Sequence, residues 1–311
     1  MGTNFIRPKD GVSMLHIRLF VAAFSCLAIP LWSPVQAAEP PSSRACAQTS
    51  ALRTIKDAAQ RIGCIGASRQ LWIVGEIHGT REIPQLVEAL VDQEAATGKV
   101  TLALEIPSFE QPALDTYLAS PGSLADVQRW LATPFWSAGV RDGRSSQAML
   151  QLIDQVRRWR ERGRRIDIVL TEPDYDQKAI EKAGGPLALK EQGMAQAIRR
   201  ALTQDGRVVA LMGNFHARYG DLGTITGMNI TSPSAVEQLS ELSPLLVWMS
   251  AAKGQAWTCQ GDDDCRAHKA GEGDAISHPQ LDVAVSPSSQ IEIVKLRLPS
   301  FTPSLPATKT K

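Results

Sequence analysis

Apolar residues alternate along this chain between two periods. Short continuous runs at 71–74, 100–104, 166–170, 207–211 and 245–249 suit strands buried on both faces, and 290–298 alternates as an edge strand does. Between them, apolar positions recur every three to four residues over 50–62, 82–96, 146–162 and 187–202, the stripe of a helix lying on a sheet. In the second of these Ile83, Leu86, Val87 and Leu90 face inward and Gly98 closes the segment; Ser145 or Ser146 caps the third. Residues 109–136 read as a helical insertion, two short pieces at 111–119 and 124–131 parted by Pro121-Gly122. A broken helical stretch turning at Gly184-Gly185-Pro186 precedes the fourth helix, and a short helix at 235–242 precedes the fifth strand. Strands alternating with helices predict an α/β fold: a mainly parallel sheet with helices on both faces and a helical insertion after the second strand.

The two ends depart from this pattern. A short basic stretch (14–18), an apolar run (19–32) and Val35-Gln36-Ala37 have the form of a signal peptide cleaved after Ala37, whether translation starts at Met1 or Met14. The apolar run is short for a membrane span and is broken by Pro30. The expected organisation is a signal peptide (1–37), a linker and N-terminal helix (38–68), one α/β domain (69–299) and a disordered tail (300–311) rich in Pro, Thr and Lys.

A net charge of +1 supplies no basic footprint for nucleic acid or an anionic membrane, so a small molecule or peptide is the expected partner. Export to the periplasm or beyond changes the meaning of the cysteines. Of five, Cys26 would leave with the leader, and Cys46, Cys64, Cys259 and Cys265 remain. An even number in an oxidising compartment suggests disulfides, with local pairing, Cys46–Cys64 and Cys259–Cys265, favoured because each pair brackets a short segment. The acidic loop QGDDD inside the second pair reads as a solvated surface loop rather than a Ca²⁺ site, since Ca²⁺ needs six or more oxygens in fixed geometry. Trp130, Trp136 and Trp159 read as core before they read as a pocket lining.

The chemistry concentrates at two strand ends. LWIVGEIHGTR (71–81) and VVALMGNFHAR (208–218) both run strand, Gly, two residues, His. A glycine there lets the backbone turn sharply and brings the next side chains over the sheet edge, where open α/β sheets bind ligands. In the first turn Glu76 and His78 are two residues apart and share one face if the segment is still extended. His216 from the second turn and Glu105, at the end of the second strand, complete the candidate set. Two imidazoles and two carboxylates have two chemical uses. Glu76, His78 and His216 form a ligand set for a divalent metal that activates water. Alternatively a histidine acts as general base, oriented by a glutamate, with Arg81 stabilising the oxyanion. Arg81, with Arg141, Asp142 and Arg144 on a Gly-rich loop, and Asn214 are candidate substrate contacts. His268 and His278 lie in a polar, Gly-rich segment and receive no role.

The two turns, Gly75–His78 and Gly213–His216, with Glu105 after the second strand, resemble the superfamily joining TIKI/TraB proteases, erythromycin esterases and ChaN-type haem-binding lipoproteins. GEIHGTRE is similar to the erythromycin-esterase start, which has one more residue between Glu and His, and GEIH itself to the ChaN-type version. The likeness spans residues 71–218. It implies Glu76, His78, Glu105 and His216 as the centre with Arg81 close by, and an exported hydrolase of an ester or peptide bond, with or without a divalent metal. The alternative it implies is a haem- or iron-binding protein without turnover. A geometric condition follows: His78 and His216 must face each other across one sheet edge.

Overall fold

The six residues of β1, Leu71–Glu76, are all buried, as a central parallel strand requires. In the computed structural model the described residues are Cys46, 52–137, 142–202, 206–220, 230, 232–261, 264–285 and 291–308. They all fall within one compact unit, Pro40–Lys311. The signal peptide and its cleavage point, the true start, Arg141 and the middle of the acidic loop lie outside the described residues.

The remaining strands are β2 (Lys99–Pro107), β3 (Ile166–Glu172), β4 (Gly206–Gly213), β5 (Leu245–Cys259), β6 (Cys265–Lys269), β7 (Gln280–Val285) and β8 (Glu292–Phe301). They form one sheet in the order β3-β2-β4-β1-β5-β8-β7, with β6 paired to β5. Every pairing from β3 across to β8 is parallel; β7 and β6 run antiparallel to their partners. The expected α/β class and mainly parallel sheet are observed.

The helices are α1 (Ile55–Ile65), α2 (Glu82–Ala95), α3 (Gln111–Leu118), α4 (Leu124–Leu131), α5 (Pro134–Ser137), α6 (Gln147–Glu161), α7 (Gln177–Ala183), α8 (Pro186–Ala201) and α9 (Ala235–Gln238). Alternate strand residues divide between two cores. Trp72, Val74, Leu102, Leu104, Val209 and Leu211 pack with α1, α2, α6 and the insertion. Leu71, Ile73, Ala103, Val208, Ala210 and Met212 pack with α8 and α9 on the opposite face. Local signals set the helix starts: Thr54 and Ser123 close capping boxes on α1 and α4, and Ser146 caps α6. Trp130, Trp136 and Trp159 are core.

Several features differ from the sequence expectation. β8, expected as an edge strand, lies inside the sheet between β5 and β7, and β6 falls in a segment given no strand. β5 runs ten residues beyond its expected end at Met249, because its less buried second half continues the pairing with β8 to Gly254 and then pairs antiparallel with β6 over 255–259. β7 is an edge strand, in a segment whose weak pattern carried no signal. The tail expected to be disordered is docked over its described residues, 300–308: Ser304 and Ala307 are buried, and Pro303 and Pro306 bridge to Thr80 and Ser146. Its composition is that of a disordered segment, but its backbone groups find partners in two loops of the domain. Both disulfides form by local pairing, Cys46–Cys64 and Cys259–Cys265. No helix among the described residues is long and apolar enough to cross a membrane.

Candidate active site

The parallel strands β1 to β4 end at a common edge. In register, Glu76 at the end of β1 lies beside Gly213 at the end of β4, and Glu172 at the end of β3 lies beside Pro107 of β2. Glu105 belongs to β2, next to β4, so three strands deliver three buried carboxylates to one edge. This is the edge at which open α/β sheets place their ligands.

His78 and His216 meet there. His78 Nδ1 is 2.9 Å from Glu76 Oε2, and His216 Nδ1 is 3.0 Å from Glu191 Oε1 on α8. An ionised carboxylate only accepts, so each pairing places the proton on Nδ1 and turns Nε2 outward. Both Nε2 atoms turn toward the same group: His78 Nε2 lies 3.7 Å from Glu105 Oε2 and His216 Nε2 lies 3.4 Å from Glu105 Oε1. The condition that the two histidines face each other across one sheet edge is met. Gly213 makes the approach possible, since a Cβ there would stand 2.8 Å from His78 Nε2. Its N–H donates to Glu105 Oε2 at 2.6 Å, which fixes the central carboxylate.

The cluster is larger than the sequence suggested. Lys190 Nζ on α8 lies 2.8 Å from Glu105 Oε1 and 3.4 Å from Glu172 Oε1. The Arg144 guanidinium reaches Glu105 and Asp142 at 3.5 and 2.8 Å and also pairs closely with Glu172. Tyr175 donates to Glu172, and Arg218 lies 3.6 Å from Glu191. Glu191 is fully buried, its second oxygen accepting the Ala235 N–H at 2.8 Å.

These contacts set the protonation states. Burial opposes charge on His78, but the Glu76 carboxylate, with Glu105 and Asp142 behind it, more than offsets that and holds its pKa above 6.5. Burial alone would raise Glu105; His78, His216, Lys190 and Arg144 instead hold it far below the usual carboxylate range. Burial also opposes charge on Arg144, yet Glu105, Asp142 and Glu172 keep it firmly cationic.

The structure thus brings together Glu76, His78, Glu105, His216, Asp142 and Arg144 of the expected residues. Arg144 is engaged with three acids rather than open to a substrate, because its loop folds it under the sheet edge. Arg81 is exposed at the start of α2 and not in the cluster, because the turn after His78 carries it out of the edge. Asn214 donates its backbone N–H to Glu76 O, and its buried Oδ1 packs against Gly75. His268 donates from Nε2 to the Asp264 carbonyl in the disulfide hairpin at 3.1 Å, and His278 is exposed. Sequence reasoning missed Glu172, Lys190, Glu191 and Arg218. Glu172 carried a signal, an acid at a strand's carboxyl end like Glu105. Lys190 and Glu191 carried none, since a Lys-Glu pair in a helix ordinarily marks a solvated face.

The residues do not fit a metal ligand set. Although His78 and His216 both face Glu105, among the described residues no group of three His, Cys, Asp or Glu side chains is placed to hold an ion. Glu76 is turned onto His78 rather than toward a shared centre, and Lys190 and Arg144 place positive charge against Glu105, where a divalent cation would be repelled.

A scan of the sequence against protein families and a search of curated proteins each find no match. Solved structures do match. An erythromycin esterase, EreC, in a mutant form and its open conformation, superposes with a TM-score of 0.56 at 11% identity, over 80% of this chain and 97% of that one. A succinoglycan biosynthesis protein gives 0.56 at 10% identity, over 82% and 95%. The resemblance read from the two turns holds at the level of the fold. The haem-binding ChaN of Campylobacter jejuni matches at only 0.39 and 11% identity, over 66% and 88%, too distant to bear on the site. The chain spans 40% of the length of a structure described as bacterial protein toxins, with a TM-score of 0.42.

Proposed function

We propose that the chain is an exported hydrolase of ester or peptide bonds, working through a His/Glu centre without a bound metal. The observation that carries this reading is the symmetric placement of two carboxylate-oriented histidines on one central carboxylate. Glu76 fixes His78 as the Nδ1–H tautomer, leaving Nε2 to take a proton from water while the water oxygen attacks the carbonyl carbon. The 3.7 Å between His78 Nε2 and Glu105 Oε2 is too long for a direct hydrogen bond and suits a bridging water, which Glu105 then orients. As the tetrahedral intermediate collapses, the imidazolium of His78 returns the proton to the leaving oxygen or nitrogen. His216, held by Glu191, faces the same carboxylate and is the second acid–base group. Lys190 and Arg144 keep Glu105 ionised.

The donors give no support to the haem-binding alternative. Both histidine Nε2 atoms face Glu105, at 3.7 and 3.4 Å, which favours the acid–base reading. The two disulfides suit a periplasmic or secreted location. A panel of chromogenic esters and short peptides, hydrolysed by wild-type protein prepared with chelator, tests the reading. His78→Ala and His216→Ala are each expected to cut kcat/KM at least about 10²-fold, the usual size of a general acid–base contribution. Full activity in His78→Ala refutes it.

A further inference from the structure

The segment after β8, from Thr302 to Ala307, is tied to the starts of two helices, and each helix directly follows a loop that carries a cluster residue. At α2, just past His78, the Arg81 N–H donates to Thr302 O at 3.0 Å, the Ser304 N–H donates to Gly79 O at 2.7 Å, and the Thr302 N–H donates to Glu82 Oε2 at 2.9 Å. At α6, just past Arg144, the Gln147 N–H donates to Leu305 O at 2.8 Å, the Ala148 N–H to Ser304 Oγ at 2.9 Å, and the Ala307 N–H donates to Ser145 O at 3.0 Å. The first N–H groups of a helix have no partner inside it. Ser146 serves only Met149 at α6, so the tail closes the donors of Gln147 and Ala148.

The two loops also touch each other beneath the tail. A Cβ on Gly143 would lie 2.5 Å from Gly79 N, and one on Gly79 would lie 1.9 Å from Trp257 O, so the backbones are packed as closely as glycine permits. Both glycines have positive φ, 75° and 94°. Ser304, 1% exposed, sits at this crossing and bonds to both sides, through its N–H to Gly79 and its Oγ to Ala148.

We infer that residues 302–307 are a strap that holds the His78 loop and the Arg144 loop in register, with Ser304 as its positioning residue. The inference rests on the reading of His78 as the base. The described bonds of Ser304 go to Gly79 and Ala148 rather than to a cluster side chain, so it acts through Gly79 and α6. The second histidine is an internal control, since Glu191 and His216 belong to α8 and the end of β4, and none of the described contacts of 302–307 reaches either.

Amide exchange and low-field proton NMR on the full chain, in wild type, Ser304→Ala and Ser304→Thr, test the strap well below the melting temperature. Loss of a hydrogen bond to a buried N–H is expected to speed exchange at Ala148 about tenfold in Ser304→Ala. If the strap is one device, Arg81, bonded to Thr302 and not to Ser304, speeds up with it. The resonance of the proton between His78 and Glu76, assigned with His78→Ala, broadens, while that of His216 and Glu191 stays sharp. Ser304→Thr, which keeps the hydroxyl, restores all three readouts. Faster exchange at Ala148 alone, or an unchanged His78 resonance, overturns the inference and leaves Ser304 a simple helix cap. Should Ser304→Ala not fold, Glu82→Ala loosens the strap from its α2 end, and an unchanged His78 resonance there is equally decisive. Full hydrolytic activity in His78→Ala sinks the proposed function without altering any of these expectations.

Discussion

His78 shows how the centre is tuned. Its pKa is raised because the attraction of Glu76 and Glu105 exceeds the cost of burying the charge. As a base it must be neutral, so kcat/KM is expected to rise with pH along a limb centred above 6.5. Glu76→Gln removes the attraction and leaves the burial, and the limb should move to lower pH; a pH–rate profile that stays in place refutes this assignment. Glu105 has the opposite sign. Its pKa is depressed, so it contributes stability above its ordinary value of 4.5, lost as pH falls through its much lower folded pKa. Glu105→Gln removes one of the two carboxylates that Lys190 and Arg144 share, Glu172 remaining, and is expected to cost about 1–3 kcal/mol at pH 7. In urea titrations that deficit should shrink as the wild type is itself protonated in acid.

At the scale of elements, the end of β4 is the tightest fit. Gly213 lies against His78 Nε2 and donates its N–H to Glu105. In Gly213→Ala the new methyl meets the far end of a side chain rather than backbone, so the fold should yield by moving His78. The expected result is at least about a tenfold loss of kcat, since misplacing a reacting group by about 1 Å is costly. The melting temperature should change little. A loss of stability with normal kcat in the surviving folded fraction counts against the packing argument. Most elements were legible because buried parallel strands and amphipathic helices write their periods into the sequence. The tail was not. Its Pro-rich composition lacks an apolar face, and its order comes from backbone partners on loops far away in the chain.

Across the whole molecule, the two disulfides staple short loops, one early and one late in the described chain. The chain-entropy argument gives about 3 kcal/mol for the Cys46–Cys64 link and about 2 for Cys259–Cys265, with sequence separations of 18 and 6. The paired change Cys46→Ser with Cys64→Ser should therefore lower the melting temperature more than its counterpart at Cys259 and Cys265; the reverse order contradicts the estimate. The residues read from sequence and those found in the structure divide along the same physical line. By itself the sequence determined the α/β class, the two strand–Gly–x–x–His turns, the acid after β2 and the local cysteine pairing, because each is written in a contiguous pattern a few residues long. Only the tertiary structure decided that His78 and His216 share one carboxylate, that Glu191, a helix residue with no local mark, orients the second histidine, and that Lys190 and Arg144 bring positive charge to Glu105. Those facts depend on strand order and helix docking, which bring together groups more than a hundred residues apart in sequence, His78 and His216 among them.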